Sequence, residues 1–151
     1  MSNFKFSNAS IDRLNTVYGP LQALAYSVIA NSPYDFGIPQ YGGKRTTKEQ
    51  QDLFAKGLSK KDGINNPSYH QYGFALDIAV FDNGKYSNDA DKYEAISKVF
   101  ESQFQKLKAL GVFPEKSYLR WGGDFNMNGI RVDKDDKESF MDLPHFEIRN
   151  T

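Results

Sequence analysis

Two histidines, each with an aspartate close by in the sequence, are the residues of this chain best suited to chemistry. They are the only histidines among 151 residues. His70 lies in the segment SYHQYGFALD, seven residues before Asp77, and His145 lies in MDLPHFEIR, three residues after Asp142. Asp77 interrupts an apolar segment, where an unpaired carboxylate is costly to bury, so it needs a metal ion, an arginine or a lysine as its partner. Either the histidines are unrelated core or surface residues, or the fold brings them to one place.

Three of these side chains meet the ligand count of a catalytic zinc site. Such a site uses three His, Asp or Glu ligands and leaves a fourth position for water. His70, Asp77 and His145 are the candidate ligands, and Asp142 is a candidate base for the proton of that water. Arg45 could stabilise a developing oxyanion or bind a substrate carboxylate. Each spacing alone is a weak signal, and a structural or exposed histidine is the alternative at both positions.

The composition excludes several other kinds of site. The chain has no cysteine, which rules out disulfides, thiolate zinc fingers and a cysteine nucleophile. Its 19 basic and 19 acidic residues balance, so no net charge attracts nucleic acid. The most apolar segment, residues 21–30, is about half of the roughly 20 residues that a membrane span needs. The N-terminus lacks the pattern of a secretory signal, so we expect synthesis in the cytoplasm and no membrane insertion.

Helices and strands alternate irregularly along the chain. Apolar periodicity and capping residues predict helices over about residues 8–17, 20–30, 46–57 and 89–110. Strands are predicted within residues 34–45, over residues 74–81, and in the segments YLRWGG and HFEIR. Asp82-Asn83-Gly84-Lys85 is a hairpin signal. This order favours an α+β fold with a small, mainly antiparallel sheet packed against helices, formed as a single domain over residues 1–151.

Three segments of the chain resemble a known family of zinc peptidases. SYHQYGFALDIA matches Ser-x-His-x-x-Gly-x-Ala-x-Asp, and RWGGDF followed by FMDLPHFE matches Trp-Gly-Gly-Asp-aromatic and then Phe-x-Asp-x-Pro-His-Phe. Upstream, GGKRTTKEQQDLFAKG matches Arg-Ser/Thr-x-x-x-Gln-x-x-Leu-x-x-x-Gly. Together they resemble the VanY-type D-alanyl-D-alanine carboxypeptidase superfamily, and within it the L-alanyl-D-glutamate peptidases of phage endolysins. The resemblance covers about residues 42–148, and it implies a hedgehog/D-Ala-D-Ala-peptidase-like fold.

The resemblance also implies roles for individual residues. His70, Asp77 and His145 match the zinc ligands, Asp142 matches the general base, and Arg45 matches a cation that stabilises the transition state or binds a carboxylate. The remaining matched positions are expected to shape the site, contact the substrate or support the ligands; they are Ser68, Gly73, Ala75, Trp121, Gly122 and Gly123. Glu147 matches no ligand position, and we expect a solvent-facing residue or a carboxylate behind the ligands.

The function implied by the resemblance is that of a monomeric zinc endopeptidase of a phage. It would hydrolyse the L-alanyl-D-glutamate bond of peptidoglycan, and it would wait in the host cytoplasm until a holin releases it to the periplasm and cell wall. No wall-binding module is expected. A D-alanyl-D-alanine carboxypeptidase of the same superfamily is the nearest alternative, and a metal-bearing wall-binding module without activity is a more distant one.

An acidic segment after the Trp-Gly-Gly motif suggests a second ion. DFNMNGIRVDKD, residues 124–135, resembles the start of an EF-hand calcium loop, with Gly129 at the sixth position for the sharp turn. The match is partial, because Arg131 replaces the usual apolar eighth residue and an aspartate replaces the usual final glutamate. A solvated loop is the alternative. The predicted calcium ligands are Asp124, Asn126, Asn128, the Ile130 carbonyl and Asp135.

Overall fold

The computed structural model describes residues 2–134 and 140–151. Four α-helices lie within these ranges: α1 (Asn8–Leu14), α2 (Gly19–Ile29), α3 (Thr47–Ala55) and α4 (Ala90–Ala109). Two short 3₁₀ helices are Tyr69–Tyr72 and Val132–Lys134. In the described ranges, no helix combines the length and the apolar character that crossing a membrane requires.

The helices form where the local sequence predicts them. The side chain of Thr46 caps the first turn of α3 by accepting from the Glu49 amide, and Glu49 caps in return. α4 has an apolar stripe that is buried, formed by Tyr93, Ile96, Phe100 and Phe104. Leu110, which follows the last helical turn, is 78% exposed. The first helix ends at Leu14, about three residues earlier than predicted, and its N-terminal cap is Ser7.

The strands form two three-stranded antiparallel sheets, one more than predicted. The α+β class and the antiparallel pairing are confirmed. The first sheet has the order β1-β3-β4, with strands β1 (Asp35–Gly37), β3 (Ala79–Asp82) and β4 (Lys85–Ser87). The second has the order β2-β6-β5, with strands β2 (Ala75–Asp77), β6 (His145–Asn150) and β5 (Ser117–Trp121).

The predicted strand over residues 74–81 is in fact two strands that belong to different sheets. The chain leaves the second sheet after Asp77 and enters the first at Ala79, and the buried Ile78 joins them. The Ile78 amide donates to the Pro144 carbonyl at 3.0 Å. This break places Asp77 at the very end of its strand.

The second sheet has one apolar face, which packs on α4. The Phe146 ring stacks on Phe100 of α4 with centroids 3.9 Å apart. Since side chains alternate along a strand, His145 and Glu147 point to the opposite face. That face is where the candidate functional residues lie.

Candidate metal centre

Three potential ligand atoms converge at the end of β2. The antiparallel register pairs Asp77 directly with His145, and the 3₁₀ helix before β2 brings His70 beside them. The His70 Nε2 atom lies 3.2 Å from Asp77 Oδ1 and 3.2 Å from His145 Nδ1, and His145 Nδ1 lies 3.4 Å from Asp77 Oδ1. No other group of three His, Asp or Glu side chains in the described ranges is arranged to hold an ion.

This triangle fits a tetrahedral metal ion. Zinc bonds to nitrogen and oxygen of about 2.0–2.1 Å correspond to ligand–ligand edges of roughly 3.3–3.4 Å in a tetrahedron. The three observed separations lie within about 0.2 Å of that edge. Two imidazoles and one carboxylate are also a donor set that zinc accepts.

His70 is held by its own short helix. The Ser68 side chain caps the helix by accepting from the His70 amide, and Gly73 ends it in the left-handed conformation, at φ 76°, that favours glycine. The His70 Nδ1 lies 3.0 Å from the Gly43 carbonyl oxygen. A carbonyl can only accept, so Nδ1 carries the proton and the Nε2 lone pair is directed at the candidate metal position.

His145 is oriented by Glu147, two residues further along β6. The His145 Nε2 donates to Glu147 Oε1 at 2.7 Å, which leaves the Nδ1 lone pair facing the site. Burial raises the pKa of Glu147, but the hydrogen bond from His145 and the charge of Arg149 lower it on balance. Glu147 is 5% exposed, and its carboxylate also lies 3.6 Å from the Arg120 guanidinium. Glu147 is therefore the buried carboxylate behind a ligand, and not a solvent-facing residue.

Asp77 is bound on its other oxygen by Arg45. The Arg45 Nη2 donates to Asp77 Oδ2 at 3.0 Å, its Nη1 donates to Gln50 Oε1 at 3.0 Å, and its Nε donates to the Tyr41 carbonyl at 2.8 Å. Burial would raise the pKa of Asp77, but the neighbouring His70 and other contacts hold it well below its usual range. Arg45 thus orients a candidate ligand, in addition to facing the cleft.

The surroundings of His145 favour a cation. Burial lowers the pKa of His145, but hydrogen bonds to Asp77 and Glu147 outweigh burial and raise it to about 9. The nearby Asp142 charge acts in the same direction. Carboxylates that attract a proton this strongly also attract a metal ion.

Asp142 lies in the wall of the same cleft but outside the group of three ligands. Its pKa is raised, mainly by burial and then by the charge of Asp77. Its backbone is clamped by Gly122, whose carbonyl accepts from the Asp142 amide at 2.7 Å and whose amide donates to the His145 carbonyl at 2.8 Å. A Cβ at Gly122 would lie 2.0 Å from the Asp142 carbonyl oxygen, so only glycine fits this contact.

Trp121 supports this segment and does not contact the cleft in the described part of the chain. Its indole Nε1 donates to the Leu143 carbonyl at 2.7 Å, and its ring lies nearly parallel to Phe146. The Trp-Gly-Gly motif therefore fixes the backbone around residues 142–145. Ser68, in contrast, both caps the His70 helix and lines the cleft.

Comparison with known proteins identifies the family of this chain. The family model for the phage L-alanyl-D-glutamate peptidase matches residues 1–149. The chain belongs to the phage L-alanyl-D-glutamate peptidase family.

Individual proteins that this chain resembles support the same family assignment. The chain is 37% identical over 148 residues to the L-alanyl-D-glutamate peptidase of Escherichia phage T5, covering 97% of this chain and 98% of that one. It is 29% identical over 132 residues to the peptidoglycan L-alanyl-D-glutamate endopeptidase CwlK of Bacillus subtilis (strain 168), covering 79% of this chain and 64% of that one. The crystal structure of Serratia marcescens L-Ala D-Glu endopeptidase ChiX has the same fold, with a TM-score of 0.70 at 20% identity over 97% of this chain and 92% of that one.

The acidic loop of this peptidase is ordered around Asp124 in its described part. Asp124 Oδ1 accepts from the Asn128 amide at 3.2 Å and Oδ2 accepts from the Gly129 amide at 2.8 Å. The Asn128 side chain accepts from the Ile130 amide at 2.9 Å. Asp135, the predicted twelfth residue of the calcium loop, lies outside the described residues.

Arg131 is a further residue of this loop whose role the sequence did not reveal. It is buried and donates to Asp91 of α4 at 2.7 Å and to Asp133 at 2.6 Å. The arginine that departs from the calcium-loop pattern thus anchors the loop to the start of α4.

Proposed function

We propose that this protein is a zinc endopeptidase that hydrolyses the L-alanyl-D-glutamate bond of peptidoglycan stem peptides and so helps a phage to lyse its bacterial host. The observation that carries the proposal is the convergence of His70 Nε2, Asp77 Oδ1 and His145 Nδ1 in a chain of this family. The names of the phage T5 and Bacillus relatives support the substrate bond. The phage relative supports action on the host cell wall, with peptidoglycan as the partner. A monomer is the working form that we propose.

In this proposal the three converging side chains hold the metal. A zinc ion bound there would supply Lewis acidity toward water and toward the scissile carbonyl. Glu147 keeps the proton on His145 Nε2, and the Gly43 carbonyl keeps it on His70 Nδ1, so both ligating lone pairs stay available. Arg45 restricts Asp77 to a single orientation by binding its second oxygen.

Asp142 is the residue proposed to move protons. Its carboxylate would take a proton from the attacking water and give one to the departing D-glutamate nitrogen as the carbon–nitrogen bond breaks. Burial raises its pKa, which makes this carboxyl a better proton acceptor than an exposed aspartate. The hydrogen bonds of Gly122 hold the backbone of Asp142 beside that of His145.

The test is digestion of purified peptidoglycan, with the new ends identified by mass spectrometry. The wild type and Asp142→Asn are compared, with bound metal quantified in each and Asp52→Asn, an exposed carboxylate on α3, as the matched control. We expect new N-terminal D-glutamate and C-terminal L-alanine from the wild type and the control. Asp142→Asn should bind one zinc and lose activity by about 10²-fold or more. Release of terminal D-alanine would instead assign the carboxypeptidase reaction.

Calcium binding by residues 124–135 is the second part of the proposal. The two backbone donors to Asp124 and the turn at Gly129, whose φ is 79°, support an EF-hand-like start of the loop. Isothermal titration calorimetry with CaCl₂ tests this proposal. We expect a heat of calcium binding in the wild type and none in Asp124→Ala. If the wild type gives no heat of calcium binding, the calcium proposal is wrong and the segment is a solvated loop.

A further inference from the structure

The cleft above the metal centre has a volume of about 610 Å³. The three arginines among its described lining residues already form ion pairs with carboxylates of the protein itself. Arg45 binds Asp77, and Arg120 and Arg149 both lie against Glu147. Their charges therefore support the ligands and are largely neutralised before any substrate arrives.

Two lysines in the cleft wall are not committed in this way. Lys60 and Lys61 line the cleft, and in the described ranges no carboxylate pairs with either ammonium group. The Lys60 Nζ lies 4.1 Å from the centroid of the Phe140 ring, a cation–π contact that leaves its hydrogen-bond donors available. Both lysines are exposed, as a binding group must be to reach a ligand.

The loop that carries these lysines is held in place by Gln50. This side chain is fully buried, and its Nε2 donates to Ser59 Oγ at 2.9 Å and to the Lys61 carbonyl at 2.8 Å. Its Oε1 accepts from Arg45. One amide thus joins the lysine loop to the arginine that orients a candidate metal ligand. Because the backbone is already ordered, binding there costs less conformational entropy than binding to a free loop.

The substrate supplies a matching charge. A glutamyl residue within a peptide keeps one free carboxylate, whichever of its two carboxyl groups continues the chain. In the proposed reaction that carboxylate lies on the residue whose nitrogen departs. A carboxylate that leaves water for the cleft needs cationic donors, and the lysines are the cations still available among the described lining residues.

We propose that Lys60 and Lys61 form a carboxylate subsite that makes cleavage depend on the free carboxylate of the glutamyl residue. This inference rests on the proposed endopeptidase function and adds the basis of its substrate preference. The two lysines act by binding the substrate and take no part in proton transfer.

The test uses two synthetic stem peptides that differ only at the glutamyl residue, which carries either its carboxylate or a carboxamide. The zinc-loaded wild type is compared with Lys60→Met, Lys61→Met and the double variant, because methionine keeps an unbranched apolar stem beside Phe140. Lys56→Met is the matched control, since Lys56 is exposed at the end of α3 and lies outside the described cleft wall. Zinc content and Tm verify that each variant is folded.

We expect the wild type and the control to prefer the carboxylate peptide by about tenfold or more in kcat/KM. The double variant should lose that preference through a higher KM for the carboxylate peptide, with little change for the carboxamide peptide. Equal cleavage of both peptides by the wild type would refute the subsite and leave the endopeptidase function standing. An equal loss on both peptides in the double variant would also refute it. If the wild type cleaves neither peptide, the proposed function itself fails, and the subsite with it.

Discussion

Replacing Glu147 by glutamine should weaken zinc binding without removing a ligand. The substitution preserves the shape of the side chain and removes the negative charge of the group that accepts the hydrogen bond from His145 Nε2 at 2.7 Å. A hydrogen bond to a charged acceptor contributes roughly 1.5–3 kcal/mol, against about 0.5–1.5 kcal/mol for a neutral one. The difference of about 1–1.5 kcal/mol corresponds to a loss of roughly tenfold in affinity.

The loss of zinc affinity would be larger if the glutamine amide adopted the opposite orientation. If the new amide turned its NH₂ group toward His145, the imidazole would have to accept at Nε2 and carry its proton on Nδ1, the atom that faces the metal position. Zinc binding would then require a change of tautomer or a rotation of the amide. Replacement of a group that supports a metal ligand typically costs 10–100-fold in affinity, which sets the expected range for Glu147→Gln.

The assay is competition for zinc against a chromophoric chelator, with Tm measured on the metal-free protein to separate binding from folding. Glu115→Gln is the matched control, because Glu115 is exposed and lies outside the cleft wall in the described part of the chain. A zinc Kd for Glu147→Gln within about twofold of the wild type would refute the reasoning. It would mean that β6 alone orients His145 and that its carboxylate partner contributes little.

Three further predictions concern folding and metal. Gly122→Ala should lower stability by about 2 kcal/mol, or roughly 4–8 °C in Tm by calorimetry, because its Cβ would meet the Asp142 carbonyl; an unchanged Tm would contradict this. Asp35 has a buried Oδ1 without a hydrogen-bond partner in the described residues, and burial raises its pKa. The folded-state pKa of Asp35 therefore exceeds its unfolded-state pKa. The free-energy cost of burying its charged carboxylate is present above the folded-state pKa and disappears as the pH falls below the unfolded-state pKa. Asp35→Asn should accordingly stabilise at pH 7 and not near pH 3 in urea titrations, whereas an equal gain at both would exclude the charge as the cause. Removal of bound metal with a chelator should lower Tm, and zinc but not magnesium should restore it; a Tm indifferent to zinc would argue against a native-state site.

Local signals in the sequence predicted the helices well. The capping box at Thr46 and the apolar stripe of α4 involve residues only three or four positions apart, so their physics is complete within one segment. The hairpin turn at Asn83 is local for the same reason, and β3 and β4 pair across it. The candidate ligands could be selected because metal chemistry restricts the residue types and the motif resemblance restricts their positions.

Features that depend on distant partners could not be predicted in the same way. The break at Ile78 is hidden in a largely apolar segment, because β2 is mostly buried, β3 buries only Val80, and neither short strand alternates clearly enough to mark its end. Glu147 contacts His145 within one strand, but its ion pair with Arg120 arises from the pairing of β5 with β6 and could not be read from the local sequence. Arg131 departs from the calcium-loop pattern for a reason that lies 40 residues away, at Asp91.

The proposed carboxylate subsite and the metal centre share a column of stacked groups. Lys60 lies on one face of the Phe140 ring, which stacks on Phe125 with centroids 5.7 Å apart. The Arg120 guanidinium lies 4.6 Å from the Phe125 centroid, and it also contacts Glu147 behind His145. A shift of the aromatic pair would therefore move a substrate-binding cation and disturb the support of a ligand together.

A second connection runs along the other side of the cleft. Gln50 holds the lysine loop and accepts from Arg45, which in turn binds the outer oxygen of Asp77. The loop is thus tied to two different ligands by two separate sets of contacts, one aromatic and one hydrogen-bonded. Because both sets are already formed, the backbone of the lysine loop is positioned before substrate binds. Discrimination by the carboxylate then needs no closing movement of this loop, so the preference should appear in KM and leave kcat largely unchanged.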